Sequence, residues 1–179
     1  TDAPVVLTIC ADYRRTTVWA EHRNATPGYA NFLSFMNAAT DGLLYTQTLC
    51  NLAEAEGLGT CFLGTTLYMP QTIIDVLQLP RLVFPVATIT MGWPAENPMQ
   101  TDRLPLRAMV HRERFKDYTA ERIDDFYRAK EALEVNKNFV EINRKETLAQ
   151  VFTDIKYTKK DNEVMSKSLL EALHQQGFL

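Results

Sequence analysis

Cysteine and histidine are scarce in this sequence, and neither is spaced as a metal site requires. The three cysteines, Cys10, Cys50 and Cys61, are far apart, and each lies among apolar residues. No C-x-x-C motif and no close cysteine–histidine pair occurs, which excludes the common zinc-binding patterns. The odd number and the apolar settings predict reduced core cysteines in a cytoplasmic protein.

Long apolar runs and an excess of positive charge are also absent. No apolar run approaches the ~20 residues of a membrane helix, and the formal net charge is −3. These features predict neither a membrane nor a nucleic-acid partner. The sequence also lacks a nucleophile elbow and an acidic pair with glycosidase spacing. An enzyme so poor in acid–base groups would need a cofactor to carry its reaction.

The sequence opens directly on a strand pattern. Val5 to Ala11 form a continuous β-branched and aliphatic run, which predicts a strand buried on both faces. The first residue is Thr1 rather than methionine, and no edge strand or helix precedes the run. We therefore expect further residues upstream of Thr1.

The stretch from Asn37 to Gly64 is the centre of the predicted fold. Apolar residues fall around most of a helical wheel between Asn37 and Glu56, which predicts a helix that is buried on most sides. Gly57 follows in the position where a left-handed residue ends a helix. Thr60 to Leu63 then predict a short buried strand or turn, closed by Gly64.

Two interpretations of this glycine-rich turn remain open. The order helix, turn, strand does not match a dinucleotide fingerprint, which requires a glycine motif between a strand and a helix. The turn either allows tight packing of the helix on the strand or brings bare backbone close to a ligand.

Further elements follow from the same patterns. Trp19 to Tyr29 predict an ordered loop or a short helix, and Gln71 to Leu77 predict a short helix with Pro70 at its first position. Val83 to Met91 predict a second core strand. Aromatic residues between Tyr29 and Met36 lead into the central helix.

The charge pattern changes at Arg112. Arg112 to Leu133 predict one or two exposed helices with Thr119 as an N-cap, and Asn136 to Asn143 predict a loop. We interpret residues 112–145 as a charged helical excursion within a single domain of residues 1–179.

A last amphipathic helix is predicted at the end of the sequence. It spans Asn162 to Gln176, with Asp161 as its cap and Gly177 as its left-handed C′ residue. Thr147 to Thr153 also favour a helix.

Four blocks in order resemble the nitroreductase superfamily. They are residues 3–15 (APVVLTICADYRR), 41–64 (DGLLYTQTLCNLAEAEGLGTCFLG), 77–94 (LQLPRLVFPVATITMGWP) and 102–105 (DRLP). Within it the chain is most similar to the oxygen-insensitive NADPH nitroreductase and NADPH–FMN oxidoreductase branch. Residues 148–163 and 169–179 also fit bacterial members of that branch.

The resemblance implies an α+β fold, a nitroreductase-like three-layer sandwich. A central mixed, mostly antiparallel sheet would be flanked by helices, with a C-terminal helical arm. It implies a homodimer built on the central helix, with two FMN molecules at the dimer interface. It also implies N-terminal helices that should precede Thr1.

The resemblance assigns cofactor-binding residues by position. The backbone of Phe62, Leu63, Gly64 and Thr65 would face the flavin ring near N5, where an N–H group would stabilise charge on the reduced ring. Arg103 falls where the family places a phosphate-binding arginine. The branch usually has lysine two residues before that arginine, and Thr101 stands there instead, so phosphate binding would lose one charge.

The implied activity is ping-pong hydride transfer from NADPH or NADH, through FMN, to a small-molecule acceptor such as a nitroaromatic, a quinone or free flavin. Lys159 and Lys160, near Lys156, are either a solvated charge run or contacts for the 2′-phosphate of NADPH. Two other functions remain open: a flavin-binding or degenerate dimeric protein without turnover, and an interaction domain that uses Arg112 to Lys145.

Overall fold

The computed structural model describes residues 2–179, which form two compact units. The first unit contains the residues up to Asn97 together with Glu163–Leu179, and the second contains Pro98–Asn162. Each unit is described by itself. The α+β fold class is confirmed, since the chain combines an antiparallel sheet with helices.

Three strands form the sheet of the first unit. They are β1 (Val5–Asp12), β2 (Gly59–Phe62) and β3 (Val83–Gly92), in the order β1-β3-β2, and both pairings are antiparallel. The prediction of β3 is confirmed, and its residues from Phe84 to Thr90 are all buried. Its β-branched content suits a pleated strand with a neighbour on each side.

The burial predicted for the two outer strands is wrong. Val5, Val6 and Leu7 of β1 are exposed, and so are Cys61 and Phe62 of β2. Each of these strands pairs with β3 along one side only and so lies at the edge of the sheet, where side chains are covered less than at its centre. Cys61 is accordingly an exposed cysteine, not the core cysteine predicted.

The central helix, α2 (Phe32–Ala55), is longer than predicted. It begins after Asn31, whose side chain accepts a hydrogen bond from the Ser34 N–H at 2.9 Å, and this cap starts the helix in the aromatic lead-in. Gly57 has φ +82°, as predicted for a residue that ends a helix. At Gly42 a Cβ would lie 3.2 Å from Ile9 Cγ2, so glycine allows α2 to approach the sheet closely.

One face of α2 is buried, and the prediction of burial on most sides is wrong for the described residues. Phe35, Ala39, Cys50 and Ala53 pack inward. Seven large apolar residues on α2 remain exposed, with exposed fractions between 45% and 71%: Phe32, Leu33, Met36, Leu43, Leu44, Tyr45 and Leu52. A helix with this much exposed apolar surface resembles one side of a protein–protein interface.

Two shorter helices complete the N-terminal part of the first unit. The helix α1 (Arg14–His22) begins directly after β1, earlier than the loop or short helix predicted from Trp19. The helix α3 (Pro70–Leu77) confirms the prediction of Pro70 at its first position.

Three aromatic rings lie in the core of this unit. Phe35 packs edge-on against Phe84 with ring centroids 5.4 Å apart, and it also contacts Phe178 at 5.4 Å. Phe84 and Phe178 are fully buried. Gly177 has φ +81°, the left-handed conformation predicted for it, and this turn brings Phe178 back into the core.

The second unit is helical. It contains α4 (Ala120–Glu131), α5 (Glu134–Ile142) and α6 (Leu148–Val151), followed by a π-helical turn at Phe152–Lys156. Thr119 caps α4, since its side chain accepts a hydrogen bond from the Arg122 N–H. This confirms the predicted cap.

The predicted loop at Asn136–Asn143 is wrong, because α5 occupies this stretch. Asparagine suggested a loop, since its side chain competes for backbone hydrogen bonds. Here the Asn136 Nδ2 donates to the Lys130 carbonyl at 2.7 Å, and the Asn143 Nδ2 donates to the Phe139 carbonyl at 2.8 Å. Both side chains therefore stabilise the ends of helices.

The last helix, α7 (Lys159–Gln175), begins three residues before its predicted start at Asn162. The prediction of Asp161 as its cap is wrong. The Thr158 Oγ1 accepts the hydrogen bond from the Asp161 N–H at 3.1 Å, and Thr158 Oγ1 also lies 2.7 Å from Asp161 Oδ2. Threonine therefore caps the helix, and Asp161 lies in its first turn.

Candidate functional site

The turn after β2 presents exposed backbone on the first unit. Phe62 ends β2, and Leu63 continues its pairing with β3, because the Leu63 N–H donates to the Thr88 carbonyl at 2.8 Å. The chain then leaves the sheet, and Gly64 and Thr65 are exposed. The helix–turn–strand sequence thus ends in a loop whose apex faces solvent.

Hydrogen bonds inside the turn hold this apex in place. The Thr66 hydroxyl donates to the Leu63 carbonyl at 3.1 Å, and the Tyr68 N–H donates to the Thr65 carbonyl at 3.0 Å. Within residues 2–179, the hydrogen bonds of this turn do not use the N–H of Gly64 or Thr65. These two N–H groups are therefore available to bind a ligand.

Gly64 has open space beside it. A Cβ added at this residue would meet no heavy atom within 4 Å, and its φ is not in the left-handed region. Neither packing nor backbone conformation within the described chain therefore requires glycine here. The open space beside Gly64 leaves room for a ligand to approach the backbone closely.

A cavity of about 270 Å³ adjoins the turn. Threonine side chains from β1, β3, α3 and the turn line it together with three apolar residues: Thr8, Leu63, Thr65, Thr66, Met69, Thr72, Ile73 and Thr88. The Thr8 and Thr88 hydroxyls lie 3.3 Å apart across the sheet. Sequence reasoning missed these threonines, although the alternation of Thr88 and Thr90 with apolar residues in β3 marks one polar-lined face.

Arg103 lies in the second unit, on an exposed segment without regular secondary structure. Its Nη1 donates to the Thr101 carbonyl at 3.3 Å, to the Asp102 carbonyl at 3.1 Å and to the Thr101 hydroxyl. The Asp102 carboxylate contacts Lys130 Nζ at 2.7 Å, so it does not accept a hydrogen bond from the Arg103 side chain. The guanidinium is therefore fixed through one nitrogen, and its charge is not neutralised by Asp102.

The Asp102–Lys130 ion pair has an electrostatic consequence. The hydrogen bond from Lys130 holds the pKa of the Asp102 carboxyl below its usual value, and the positive charges of Lys130 and Arg103 act in the same direction. Asp102 is therefore ionised at neutral pH. Sequence reasoning did not single out Lys130, which lies 28 positions further along the chain.

Lys159 and Lys160 are the first two residues of α7, and both are exposed. They lie at the end of the helix where the macrodipole is positive, so their charges add to that potential. Lys156, the third member of the predicted cluster, lies over the Phe139 ring with its Nζ 5.2 Å from the centroid. It therefore makes a cation–π contact within the second unit.

The predicted site residues thus fall into two groups. Phe62, Leu63, Gly64 and Thr65 are consecutive on the first unit, whereas Arg103, Lys159 and Lys160 belong to the second. In residues 2–179, no group of three or more histidine, cysteine, aspartate and glutamate side chains could hold a metal ion. None of the helices in that range combines the length and apolar character of a membrane span.

Comparison with known proteins gives a family match. The model of the Nitroreductase family matches residues 1–93, just over half of the chain. The FMN reductase [NAD(P)H] of Bacillus subtilis (strain 168) is 34% identical over 115 residues, which cover 63% of this chain and 46% of that protein. The oxygen-insensitive NADPH nitroreductase of Salmonella typhimurium is 30% identical over 111 residues, 60% of this chain and 43% of that protein. The matched part therefore spans less than half the length of these two relatives.

A solved structure matches nearly the whole chain. An oxidoreductase from Bacteroides fragilis NCTC 9343 superimposes with a TM-score of 0.97 at 60% sequence identity. The match covers 99% of this chain and 72% of that protein's chain.

Proposed function

The chain belongs to the nitroreductase family, and on this premise we propose that it is an FMN-dependent NAD(P)H oxidoreductase. The proposed acceptors are nitroaromatics, quinones or free flavin. When bound, FMN would supply the redox chemistry, which is hydride transfer through N5 from NAD(P)H to the acceptor in a ping-pong sequence. The chain itself supplies binding, orientation and charge.

The residues present fit FMN. A planar flavin ring needs open space beside the backbone donors that bind its edge. Gly64 and Thr65 are exposed, and no heavy atom lies within 4 Å of a Cβ added at Gly64. A phosphate needs a cationic fork, and Arg103 presents a guanidinium whose contacts within residues 2–179 are made through Nη1 alone. The open space at Gly64 is the observation that carries the proposal.

Each site residue has a role that follows from its chemistry. The Gly64 and Thr65 N–H groups would donate to the ring edge where negative charge develops, because fixed donors stabilise such charge without reorganisation. The backbone of Phe62 and Leu63, which leads from β2 into the turn, would also face the ring. Arg103 would bind the phosphate by charge-assisted hydrogen bonds.

The proposed function is tested by flavin binding followed by turnover. Purified protein is titrated with FMN by fluorescence quenching, and oxidation of NADPH and of NADH is then followed with menadione and with nitrofurazone. Saturable binding and acceptor-dependent oxidation are expected. Saturable binding without oxidation would instead favour a flavin-binding protein without turnover.

We also propose a homodimer built on α2. The exposed apolar face of this helix contains Leu43, Leu44, Tyr45 and Leu52, and obligate interfaces that cover such faces commonly bury about 2,000 Å² or more. The three free cysteines are consistent with the cytoplasm as the proposed location.

The dimer predicts a definite result in light scattering. At micromolar concentration the protein is expected to have twice the mass of one chain, and Leu44→Glu is expected to shift it towards the monomer because it places a charge in an apolar interface. Val76→Glu is the matched control, since Val76 is an exposed apolar residue of α3. A stable monomer in the parent protein would contradict the proposal.

The third proposal concerns Lys159 and Lys160, which we assign to the 2′-phosphate of NADPH. Replacing both with alanine is expected to raise the KM for NADPH several-fold and to leave the KM for NADH unchanged, because NADH lacks that phosphate. Lys167→Ala on the same helix is the control, since Lys167 lies 3.8 Å from Glu171. Equal changes for the two nucleotides would remove these lysines from the site.

A further inference from the structure

An ion pair joins Asp102, the residue before Arg103, to α4. Lys130 Nζ lies 2.7 Å from Asp102 Oδ2, and the two side chains are only 25% and 33% exposed. The Lys137–Glu134 pair of the same unit has the same distance but exposed fractions of 57% and 88%. The Asp102–Lys130 pair is therefore better shielded from solvent than the Lys137–Glu134 pair. Salt weakens a shielded ion pair less than an exposed one.

Lys130 lies at a fixed point of the helical unit. It is in the last turn of α4, and its carbonyl accepts a hydrogen bond from Asn136 Nδ2 on α5 at 2.7 Å. The Leu133 N–H donates to the same carbonyl at 3.3 Å. The backbone of Lys130 is thus held by the corner between α4 and α5.

Asp102 connects this fixed point to Arg103. Its carboxylate accepts the hydrogen bond from Lys130, and its carbonyl accepts one from Arg103 Nη1 at 3.1 Å. Thr101, on the other side of Asp102, accepts from the same nitrogen through its carbonyl and its hydroxyl. A displacement of Asp102 would therefore move the guanidinium with it.

We propose that the Asp102–Lys130 ion pair is a positioning contact that fixes Arg103 for the phosphate of FMN. This inference rests on the proposed function, in which Arg103 binds that phosphate. The pair also neutralises the Asp102 carboxylate, which would otherwise repel a phosphate bound at the adjacent residue. Because Lys130 neutralises its charge, Asp102 can lie next to a residue that binds an anion.

The charge state of the pair supports this role. The hydrogen bond from Lys130 lowers the pKa of Asp102, so the carboxylate stays ionised at neutral pH. Its contribution is present above the ordinary aspartate pKa and is lost as the pH falls through the lowered value. The positioning contact therefore persists throughout the neutral range.

A double-mutant cycle tests the inference, with FMN and riboflavin titrations of the parent, Lys130→Met, Asp102→Asn and the double variant. Each single substitution is expected to weaken FMN binding by roughly 3- to 10-fold, and the double variant is expected to be no weaker than either one. Riboflavin, which has no phosphate, is expected to bind all four proteins equally. Lys137→Met is the matched control and is expected to bind FMN as the parent does.

The outcomes separate this inference from the proposed function. If the parent binds FMN, and if Arg103→Ala weakens binding while Lys130→Met matches the control, the positioning role is overturned. It is also overturned if Asp102→Asn tightens FMN binding while Lys130→Met weakens it, because Lys130 would then act directly on the phosphate. Equal losses for FMN and riboflavin would indicate a general structural role and overturn it as well. A parent that binds no FMN would overturn the proposed function, and this inference with it.

Discussion

Replacing Arg103 with alanine is expected to weaken FMN binding by about 10- to 100-fold, because a charge-assisted hydrogen bond contributes on the order of 1.5–3 kcal/mol. Thr101 offers no second charge to share this role, because its hydroxyl is uncharged. Riboflavin binding is expected to stay within twofold of the parent. The measurement is a pair of titrations, one with each flavin, on the parent and the variant.

Arg107→Ala is the matched control for this substitution. Arg107 is an exposed arginine of the same unit, and its Nη2 lies 2.8 Å from Asp125 Oδ2, so its charge is locally neutralised. Its removal is expected to change FMN affinity little, since exposed ion pairs contribute at most about 1 kcal/mol. An FMN dissociation constant that is unchanged in Arg103→Ala would remove Arg103 from the site. Excess FMN is expected to restore the activity of that variant, because the turn at Gly64 is untouched.

Replacing Gly64 with valine is expected to weaken the binding of both flavins. The added side chain would enter the open space beside the turn, and forcing extra methyl groups into a filled contact costs about 1–3 kcal/mol. The dissociation constants of FMN and riboflavin should therefore both rise by roughly 5- to 150-fold. Within the described chain the substitution meets no obstacle, so the free energy of unfolding is expected to change by only about 0.5 kcal/mol.

Gly28→Val is the matched control, because a Cβ at Gly28 also meets no heavy atom within 4 Å. It is expected to change neither flavin affinity nor stability. The two site variants then give different patterns: Arg103→Ala discriminates between FMN and riboflavin, and Gly64→Val does not. If Gly64→Val binds both flavins as the parent does, the ring lies elsewhere and the proposed role of the turn is wrong.

Local patterns were enough to predict the elements that position the turn. The central helix, the strand at Val83 and the left-handed Gly57 depend on side-chain period and on the conformational freedom of glycine, which neighbouring residues determine. The helix after Pro70 and the cap at Thr119 are of the same kind. Each was predicted within a few residues of its observed bounds.

Burial was predicted less well than secondary structure. Val6, Cys61 and Leu44 have apolar neighbours in sequence, yet all three are exposed in the structure. An apolar run shows that a segment prefers to be covered, but not which part of the molecule or which partner covers it. The number of neighbours that a strand has in its sheet depends on pairing between distant segments, which periodicity does not encode.

Some residues of the candidate site were predicted from the sequence, and others were found only in the structure. Gly64 was identified from its place in the chain, and Arg103 from its motif. The threonine-lined cavity combines Thr8, Thr72 and Thr88 from three separate elements, and Lys130 acts on Asp102 from a helix far along the chain. Such groups of residues arise from tertiary contacts between positions that are distant in sequence, so no local pattern predicts them.

The first unit is discontinuous in sequence, and this affects how it is synthesised. Phe35 and Phe84 are made early, but their buried neighbour Phe178 is made 81 residues after Asn97. At about 5–20 residues per second, a ribosome needs roughly 4–16 s for that interval. Over the same seconds it produces all of Pro98–Asn162, whose compact contacts are internal to the segment. The aromatic core of the first unit can therefore be completed only after the whole of Pro98–Asn162 has been synthesised.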